Sequence, residues 1–139
     1  MQRPLYRDGM ITPIYAAALA LVFIALSVRV IVYRRANKLG LGDHGDKGLL
    51  KRMRAQANCA EYAPFGVVLM ILFELQNGPV IIIHGIGALL LIGRVAHGVG
   101  FSARPPIMML RVWGMILTLA SYLLAIGCIF ILTLSGNWP

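Results

Sequence analysis

Acidic residues are scarce in this 139-residue sequence, which has five Asp and Glu against 13 Lys and Arg and a formal net charge of +8 at pH 7. A balance this basic suits either a nucleic-acid partner or a membrane surface. Aromatic residues are not interleaved with the bases, and the bases lie beside apolar runs, which is the pattern of membrane topology. We therefore expect no nucleic-acid partner.

Cysteine is also rare, and the usual catalytic sets are missing. Cys59 and Cys128 lie in apolar stretches without metal-ligand spacing, so we expect small buried side chains, no disulfide framework and no metal site. The sequence has no Ser/His/Asp set, and the glycines from Gly40 to Gly48 lack the Lys-Ser/Thr ending of a phosphate-binding loop. If the protein is an enzyme, we expect the substrate to bring the nucleophile.

Long apolar runs are what the sequence does have. It is 59% hydrophobic, with a mean hydropathy of +0.79, well above the roughly 45–50% apolar content of soluble domains. We predict an all-α integral membrane protein, a single domain over residues 1–139 that forms an antiparallel four-helix bundle. Pro64 predicts a kink, and residues 98–106 are predicted to be a loop. The predicted helices cover residues 11–35, 49–76, 79–98 and 107–134.

The distribution of bases predicts the orientation of this bundle. Seven Lys and Arg lie from position 34 to position 54 and three more flank the third connection, whereas the opposite side has only Arg3 and Arg7. The positive-inside rule then places the more basic side in the cytoplasm and both termini outside. Arg94, His97 and Arg111 belong to the cytoplasmic side, so their side chains can converge near one leaflet.

A polar segment opens the second helix and continues without a break into an apolar run. Arg54, Asn58 and Glu61 stand at i, i+4 and i+7 on one helix face, which Tyr62 flanks. Ionisable groups on a membrane helix are costly and mark functional sites by default. The alternative is that they pair with other helices and lock the bundle, but four polar groups within nine residues favour a site.

Such a site suits a small zwitterion with carboxylate groups. Arginine forks bind carboxylates through two hydrogen bonds, and Glu61 can hold an ammonium group. Elsewhere in the apolar spans, His84 is expected to form a helix–helix hydrogen bond, and Gly85, Gly87 and Gly93 predict close helix approach.

The polar segment resembles the second-helix signature of the MAPEG family, the membrane-associated proteins in eicosanoid and glutathione metabolism. That signature is Arg, three residues, Asn, two residues, Glu and a Pro shortly after. The corresponding segment here is Arg54-Ala-Gln-Ala-Asn58-Cys-Ala-Glu61-Tyr62-Ala-Pro64. Arg34-Arg35-Ala36 is similar to the first-helix end of leukotriene-synthase-like members. Arg94-Val-Ala-His97, followed by Phe101, resembles the third helix of microsomal glutathione transferases.

The resemblance implies a homotrimer in membrane lipids, with glutathione as co-substrate between adjacent subunits and access from the cytoplasm and the bilayer. It implies a glutathione transferase, with glutathione-dependent peroxidase activity as a further option, acting on a lipophilic small molecule. Two of the implied glutathione-binding residues would come from the neighbouring subunit, and Gln56 indeed lies ~200° around its helix from Arg54. The implied binding set is Arg54, Asn58, Glu61, Tyr62, Arg94 and His97 from one subunit, with Arg34 and Gln56 from its neighbour.

Arg111 falls where the family has its thiol-activating Arg, 17 residues after Arg94. The resemblance therefore implies that Arg111 stabilises the glutathione thiolate. Taken alone, the residue would suit an interfacial anchor that satisfies the topology rule. The spacing from Arg94 favours the catalytic role.

Three departures from the family pattern bear on the function. Phe101 stands where many relatives have Tyr, His97 where the leukotriene synthase has Tyr, and Val112 where the prostaglandin E synthase has Ser. They favour a general transferase or peroxidase over an eicosanoid enzyme, and they leave a non-catalytic lipid- or glutathione-binding scaffold as the alternative. A small multidrug transporter is disfavoured, because residues 11–33 lack the acidic residue needed for proton coupling. We expect a location in a bacterial inner membrane.

Overall fold

Four long helices make up most of the computed structural model, which describes residues 10–136. At 1.5 Å per residue each helix is about 35 Å long or longer, and each contains an apolar stretch long enough to cross a bilayer. The predicted all-helical architecture with four candidate membrane spans is confirmed. Arg3 and Arg7, the two bases predicted for the opposite side, lie outside the described residues. The helices are α1 (Thr12–Ala36), α2 (Lys47–Leu75), α3 (Val80–Ser102) and α4 (Met108–Leu134).

The outer surface of the bundle is apolar, as a lipid environment requires. Large hydrophobic side chains are exposed on every helix, for example Leu21 (67%), Phe65 (56%), Ile81 (78%) and Leu123 (71%). Soluble monomers rarely expose contiguous apolar surface on this scale. Inside the bundle, α2 and α3 are central, because each of them contacts all three other helices. The buried core includes Leu19, Leu26, Met70, Phe73, Ile83, Ile86 and Leu90.

α2 begins at Lys47, earlier than predicted, because Asp46 caps it. The Asp46 carboxylate accepts hydrogen bonds from the backbone N–H of Leu49 at 2.8 Å and from the hydroxyl of Tyr33 on α1 at 3.1 Å. The Leu49 hydrogen bond, helped by Tyr33 and by the charge of Arg52, holds the pKa of the Asp46 carboxyl below its ordinary value. The cap therefore also ties the start of α2 to the end of α1.

α3 continues to Ser102, so the first half of the predicted loop at 98–106 is helical instead. Two glycines in this half of the predicted loop pack against neighbouring helices. A Cβ at Gly100 would lie 2.8 Å from the side chain of Arg111, and one at Gly98 would contact Leu26 at 3.5 Å. Ser102 donates to the Gly98 carbonyl one turn back, across 2.5 Å. Close packing, rather than a turn, explains these glycines.

α2 passes through Pro64 as one helix, and the kink expected there stays a prediction. Pro64 lies on the exposed side of α2.

At the end of the bundle away from the α1–α2 connection, Glu74 of α2 holds the start of α1. Its carboxylate accepts hydrogen bonds from the backbone N–H groups of Ile11 at 2.5 Å and Thr12 at 2.9 Å. The first N–H groups of a helix have no partner within it, so this carboxylate satisfies two of them and complements the helix dipole. At the same end, the Tyr15 hydroxyl lies 3.0 Å from Nδ1 of His84, which is the helix–helix hydrogen bond expected for His84.

Candidate functional site

The seam between α3 and α4 brings the polar residues of the two helices together. A Cβ at Gly93 would lie 2.7 Å from the Thr118 hydroxyl oxygen, and one at Gly114 would lie 2.6 Å from the backbone nitrogen of His97. Only a hydrogen atom fits at either position, so the two backbones approach closely, as small residues allow in membrane helices. The close approach predicted at Gly93 is confirmed, and it places Arg94 directly against α4.

Neutral groups from α2 and α4 hold the guanidinium of Arg94, which is 1% exposed. Its Nε donates to the Thr118 hydroxyl at 2.9 Å, its Nη1 to Oδ1 of Asn58 at 2.6 Å, and its Nη2 to the Gly114 carbonyl at 3.4 Å. The same Nη2 lies 3.2 Å from the sulfur of Met115. Among the residues from 10 to 136, no carboxylate pairs with this cation.

This arrangement leaves a buried positive charge without a counterion from the described chain. Moving an ion out of water costs several kcal/mol even after relaxation, and hydrogen bonds to neutral acceptors offset only part of that. Arg94 is therefore held in place by its neighbours, while its charge is not neutralised by any of the described residues.

Two tyrosines form the aromatic side of the cluster around Arg94. The guanidinium carbon of Arg94 lies 5.3 Å from the centroid of the Tyr62 ring, and the Tyr62 and Tyr122 rings are 6.5 Å apart. The Tyr122 hydroxyl donates to the backbone carbonyl of Tyr62, which joins α4 to α2. The face of a Tyr ring attracts a cation, so Tyr62 stabilises Arg94 without neutralising it.

Arg111 lies on α4 one turn before Gly114, toward the α3–α4 connection. Its guanidinium carbon lies 3.8 Å from the centroid of the Phe101 ring. Its buried Nε has no hydrogen-bond partner in the part of the chain that the structure describes. The His97 ring packs against Phe101 with centroids 5.1 Å apart, and the charges of Arg94 and Arg111 both act on His97. The seam thus brings two guanidinium groups close to one buried imidazole.

Chemically, this seam can bind an anion or stabilise a negative charge that develops during a reaction. Arg94 is fixed by hydrogen bonds, whereas the buried Nε of Arg111 has no acceptor among residues 10–136. Preorganised donors of this kind are effective where water is excluded, and His97 is only 5% exposed.

The polar face predicted on α2 is divided between the inside and the outside of the bundle. Asn58 and Tyr62 lie on the flank that meets Arg94, whereas Arg54 and Glu61 are exposed. Within residues 10–136, neither exposed side chain makes a hydrogen bond or an ion pair. Since the four positions spread over about 100° of the helix surface, one edge of the face packs inward while the other remains open.

Arg34 and Gln56, which the family resemblance assigns to a neighbouring subunit, have partners within their own chain. Arg34 donates to the backbone carbonyls of Gly40 and of Gly42, the latter at 2.9 Å. The Gln56 amide donates to the Ser27 hydroxyl of α1 across 3.3 Å. In the single chain, Arg34 therefore shapes the α1–α2 connection, and Gln56 joins α2 to α1 on the side away from the polar face.

Sequence reasoning missed the contribution of α4 to the site. Thr118, Met115 and Tyr122 all lie in what the sequence presents as an apolar span, yet they contact Arg94 or Tyr62. A signal was present, because Gly114 and Thr118 are small residues four positions apart, a spacing that marks close helix contacts in membranes.

Comparison with known families identifies the family of this chain. The sequence profile of the MAPEG family matches residues 12–131. The chain belongs to the MAPEG family. The resemblance that rested on residues 54–64 is therefore confirmed, and the match reaches from α1 into α4.

This MAPEG protein is also similar to the inner membrane protein YecN of Escherichia coli strain K12. The two chains are 33% identical over 95 residues, which is 68% of this chain and 72% of YecN. YecN from E. coli O6:H1 matches to the same extent. No solved structure gives a significant match. The relative's name states a location and no reaction, so the chemistry of this MAPEG protein has to be argued from its site.

Proposed function

We propose that this MAPEG protein is a membrane-bound glutathione transferase that activates the glutathione thiol for attack on lipophilic electrophiles. The same site suits a glutathione-dependent peroxidase. The observation that carries the proposal is the pair of arginines at the α3–α4 seam. Within the described residues, Arg94 has only neutral partners, and the Nε of Arg111 has none. Membership of a family that includes glutathione transferases supports the same reaction.

The charged groups of glutathione match the side chains of the site. Glutathione has two carboxylates, one ammonium group and one thiol. Arg54 is exposed and suits one carboxylate, because a guanidinium fork binds it with two hydrogen bonds. The nitrogens of Arg94 are already engaged, so Arg94 would attract the other carboxylate through its unneutralised charge. Glu61 suits the ammonium group. The Oδ1 of Asn58 is engaged by Arg94, which leaves its amide N–H groups to donate to the tripeptide, and Tyr62 lies beside them.

A homotrimer belongs to the proposal, because part of the site is open in the single chain. Arg54 and Glu61 are exposed, so a ligand held by them would have one uncovered side. A neighbouring subunit would cover that side. Arg34 and Gln56 would contribute from the neighbour only by exchanging their present hydrogen bonds, such as that of Gln56 to Ser27.

Arg111 has the catalytic role in this proposal. A free thiol with a pKa near ~8.5 is only a few per cent ionised at neutral pH. A guanidinium at hydrogen-bond distance in a partly desolvated site lowers such a pKa by roughly one to three units. The thiol proton passes to water, the sulfur forms a bond to the electrophilic carbon, and the leaving group departs with its electron pair. His97 and Arg94 complete the polar wall beside the reacting sulfur.

We place this site at the cytoplasmic leaflet of a bacterial inner membrane, with both termini outside. The excess of Lys and Arg at the α1–α2 and α3–α4 connections supports this orientation. The name of YecN supports the membrane. A lipophilic substrate would then reach the seam from the bilayer, whereas glutathione would enter from the cytoplasm.

Conjugation of glutathione to a model aryl halide by the detergent-purified protein tests the proposal. We expect Arg111→Ala to lower kcat/KM by roughly 100-fold, the usual cost of losing one preorganised donor. Calorimetric binding of glutathione should persist in this variant. Arg35→Ala is the matched control, because it removes an exposed arginine at the end of α1 and should keep full activity. An unchanged rate in Arg111→Ala would remove Arg111 from the mechanism.

One observation favours a second candidate, a non-catalytic lipid- or glutathione-binding scaffold. The Phe101 ring covers the Arg111 guanidinium at 3.8 Å and offers no hydroxyl to a ligand. Glutathione binding without turnover of any electrophile or lipid hydroperoxide would support this candidate. In that case Phe101→Tyr is the informative variant, because a gain of turnover would show that the missing hydroxyl limits the reaction.

A further inference from the structure

A groove lies between α1 and α3, near the α3–α4 connection and away from the seam between α3 and α4. It has a volume of about 470 Å³ and an apolar wall that includes Val22, Leu26 and Val99. Arg94 is held by α2 and α4, whereas Gly98 meets Leu26 of α1. The groove and the arginine pair of the proposed transferase site therefore use different sides of α3.

Arg29 lines this groove, and it is the one charged residue within the apolar run of α1. The residue is half-buried, and its side chain makes no hydrogen bond within the described part of the chain. A charged group at this depth is costly unless something pairs with it. Apart from Ser102, the other side chains that line the groove are apolar or absent. The surroundings of Arg29 therefore suit a molecule with a negative head and an apolar body.

Two further arginines stand near Arg29. Tyr33 lies one turn further along the same face of α1, and the guanidinium carbon of Arg52 is 3.9 Å from the centroid of its ring. Ala103 lines the groove, which places Arg104 at its rim. The charges of Arg52 and Arg104 both act on Arg29. Of these three cations, Arg29 lines the groove itself, whereas Arg52 and Arg104 are its charged neighbours. Like charges repel each other, and an anion bound at Arg29 would relieve that repulsion.

Asp46 is the acidic residue whose charge interacts with one of these three arginines, Arg52. Its carboxylate is already engaged by the backbone N–H of Leu49 and by the hydroxyl of Tyr33. It therefore lowers the positive potential at Arg52 but leaves Arg29 and Arg104 without a described counterion.

We propose that this groove binds an anionic phospholipid, with the phosphate at Arg29, Arg52 and Arg104 and an acyl chain along the apolar wall. Both parts of the groove are needed to select this ligand. A soluble anion would bury no apolar surface against the wall of the groove. A lipid without net charge would not neutralise the arginines. Basic pockets between membrane helices on the cytoplasmic side are suited to anionic headgroups. The proposal is independent of glutathione.

Native mass spectrometry of the full-length protein in a neutral detergent tests the proposal. Phosphatidylglycerol and phosphatidylcholine with the same acyl chains are the two probes. We expect phosphatidylglycerol to bind at least tenfold more tightly. An arginine near an anionic lipid contributes ~1 kcal/mol, so Arg29→Gln and Arg104→Gln should each weaken phosphatidylglycerol binding about fivefold. Arg35→Gln is the charge-matched control and should stay within twofold of the wild type.

A second pair of variants tests whether the ligand occupies the apolar wall of the groove. Ala25 lines the groove and is exposed, so Ala25→Trp should fill it and weaken phosphatidylglycerol binding without changing the net charge. Ala17→Trp places the same side chain on an exposed position of α1 outside the groove and should leave binding unchanged.

Several outcomes would overturn the proposal. Equal binding of the two lipids would remove the role of the arginines, and so would an equal effect of Arg29→Gln and Arg35→Gln. If Arg29→Gln does not fold, Arg104→Gln decides, because Arg104 is exposed in the connection between α3 and α4. Displacement of the lipid by an equal concentration of glycerol phosphate would identify a site for soluble phosphate instead of a lipid site.

Discussion

The Nη1 atom of Arg94 on α3 donates to the Oδ1 atom of Asn58 on α2 across 2.6 Å. This hydrogen bond joins the family signature on α2 to the seam between α3 and α4. It orients the Asn58 amide and holds a buried guanidinium, but it does not neutralise the charge. The same contact therefore serves the packing of the bundle and the anion site that we propose.

Asn58→Ala should destabilise the protein by about 1–3 kcal/mol, because it leaves a buried charged donor without its acceptor. Thermal unfolding in detergent measures this change. Asn37→Ala is the control, since Asn37 is exposed and its side chain donates to the Tyr33 carbonyl at the end of α1.

Asn58→Asp separates the two roles of Asn58. Its carboxylate should preserve stability by pairing with Arg94 but should weaken glutathione binding more than tenfold. Tight glutathione binding by Asn58→Asp would contradict the anion site.

Gly93→Ala should destabilise the bundle by about 1–3 kcal/mol through overpacking. The added methyl group would lie 2.8 Å from the Gly114 carbonyl oxygen, a backbone atom that cannot move without shifting α4. Gly85→Ala is the control on the same helix. Close approach was expected there, but within residues 10–136 a Cβ at Gly85 has no neighbour within 4 Å, so the single chain does not bear out that expectation. The control should gain up to ~1 kcal/mol from helix propensity. Equal melting temperatures for the two variants would contradict the close seam.

Glu74→Gln should destabilise α1 by about 1–2 kcal/mol, because a charged carboxylate at a partly buried helix N-terminus is replaced by a neutral amide. Hydrogen exchange in the first turn of α1 measures the local effect. Glu61→Gln removes the same charge from the exposed side of α2. It should leave stability unchanged while weakening glutathione binding. If both variants lose the same stability, the Glu74 carboxylate is not the specific cap of α1.

Asp46→Asn should lower the melting temperature at neutral pH and lose this effect in acid. The pKa of the Asp46 carboxyl is lowered in the folded protein, first by the Leu49 hydrogen bond. A lowered pKa means that the stabilisation is complete above the ordinary carboxyl value of ~3.9 and disappears as the pH falls through the folded value. The gap between wild type and variant should therefore be constant from pH 7 to about pH 5 and should shrink below about pH 4. A gap that persists at pH 2 would contradict the charged cap. Asp43→Asn, in the same connection, controls for the loss of a loop carboxylate.

The helices themselves were readable from the sequence, because the length of an apolar run and the placement of Lys and Arg are local properties. The polar face within residues 54–64 was likewise predictable, since the spacing puts four polar groups on neighbouring positions of one helix. The end of α3 was not predictable in the same way. Gly98 and Gly100 have the composition of a turn, and only the presence of Leu26 and Arg111 beside them shows that they serve close packing.

The sequence by itself determined the four spans, the family and the set of charged residues at one end of the bundle, since hydropathy and motif spacing do not depend on how the helices pack. Only the tertiary structure decided how these residues are used. In the folded chain, Asn58 faces Arg94 while Glu61 is exposed. Gln56 donates to Ser27 of α1. Thr118 accepts a hydrogen bond from Arg94, which lies 24 positions earlier in the chain. The physical reason is that helix rotation and the contact at Gly93 and Gly114 depend on several helices at once, and no single segment encodes them.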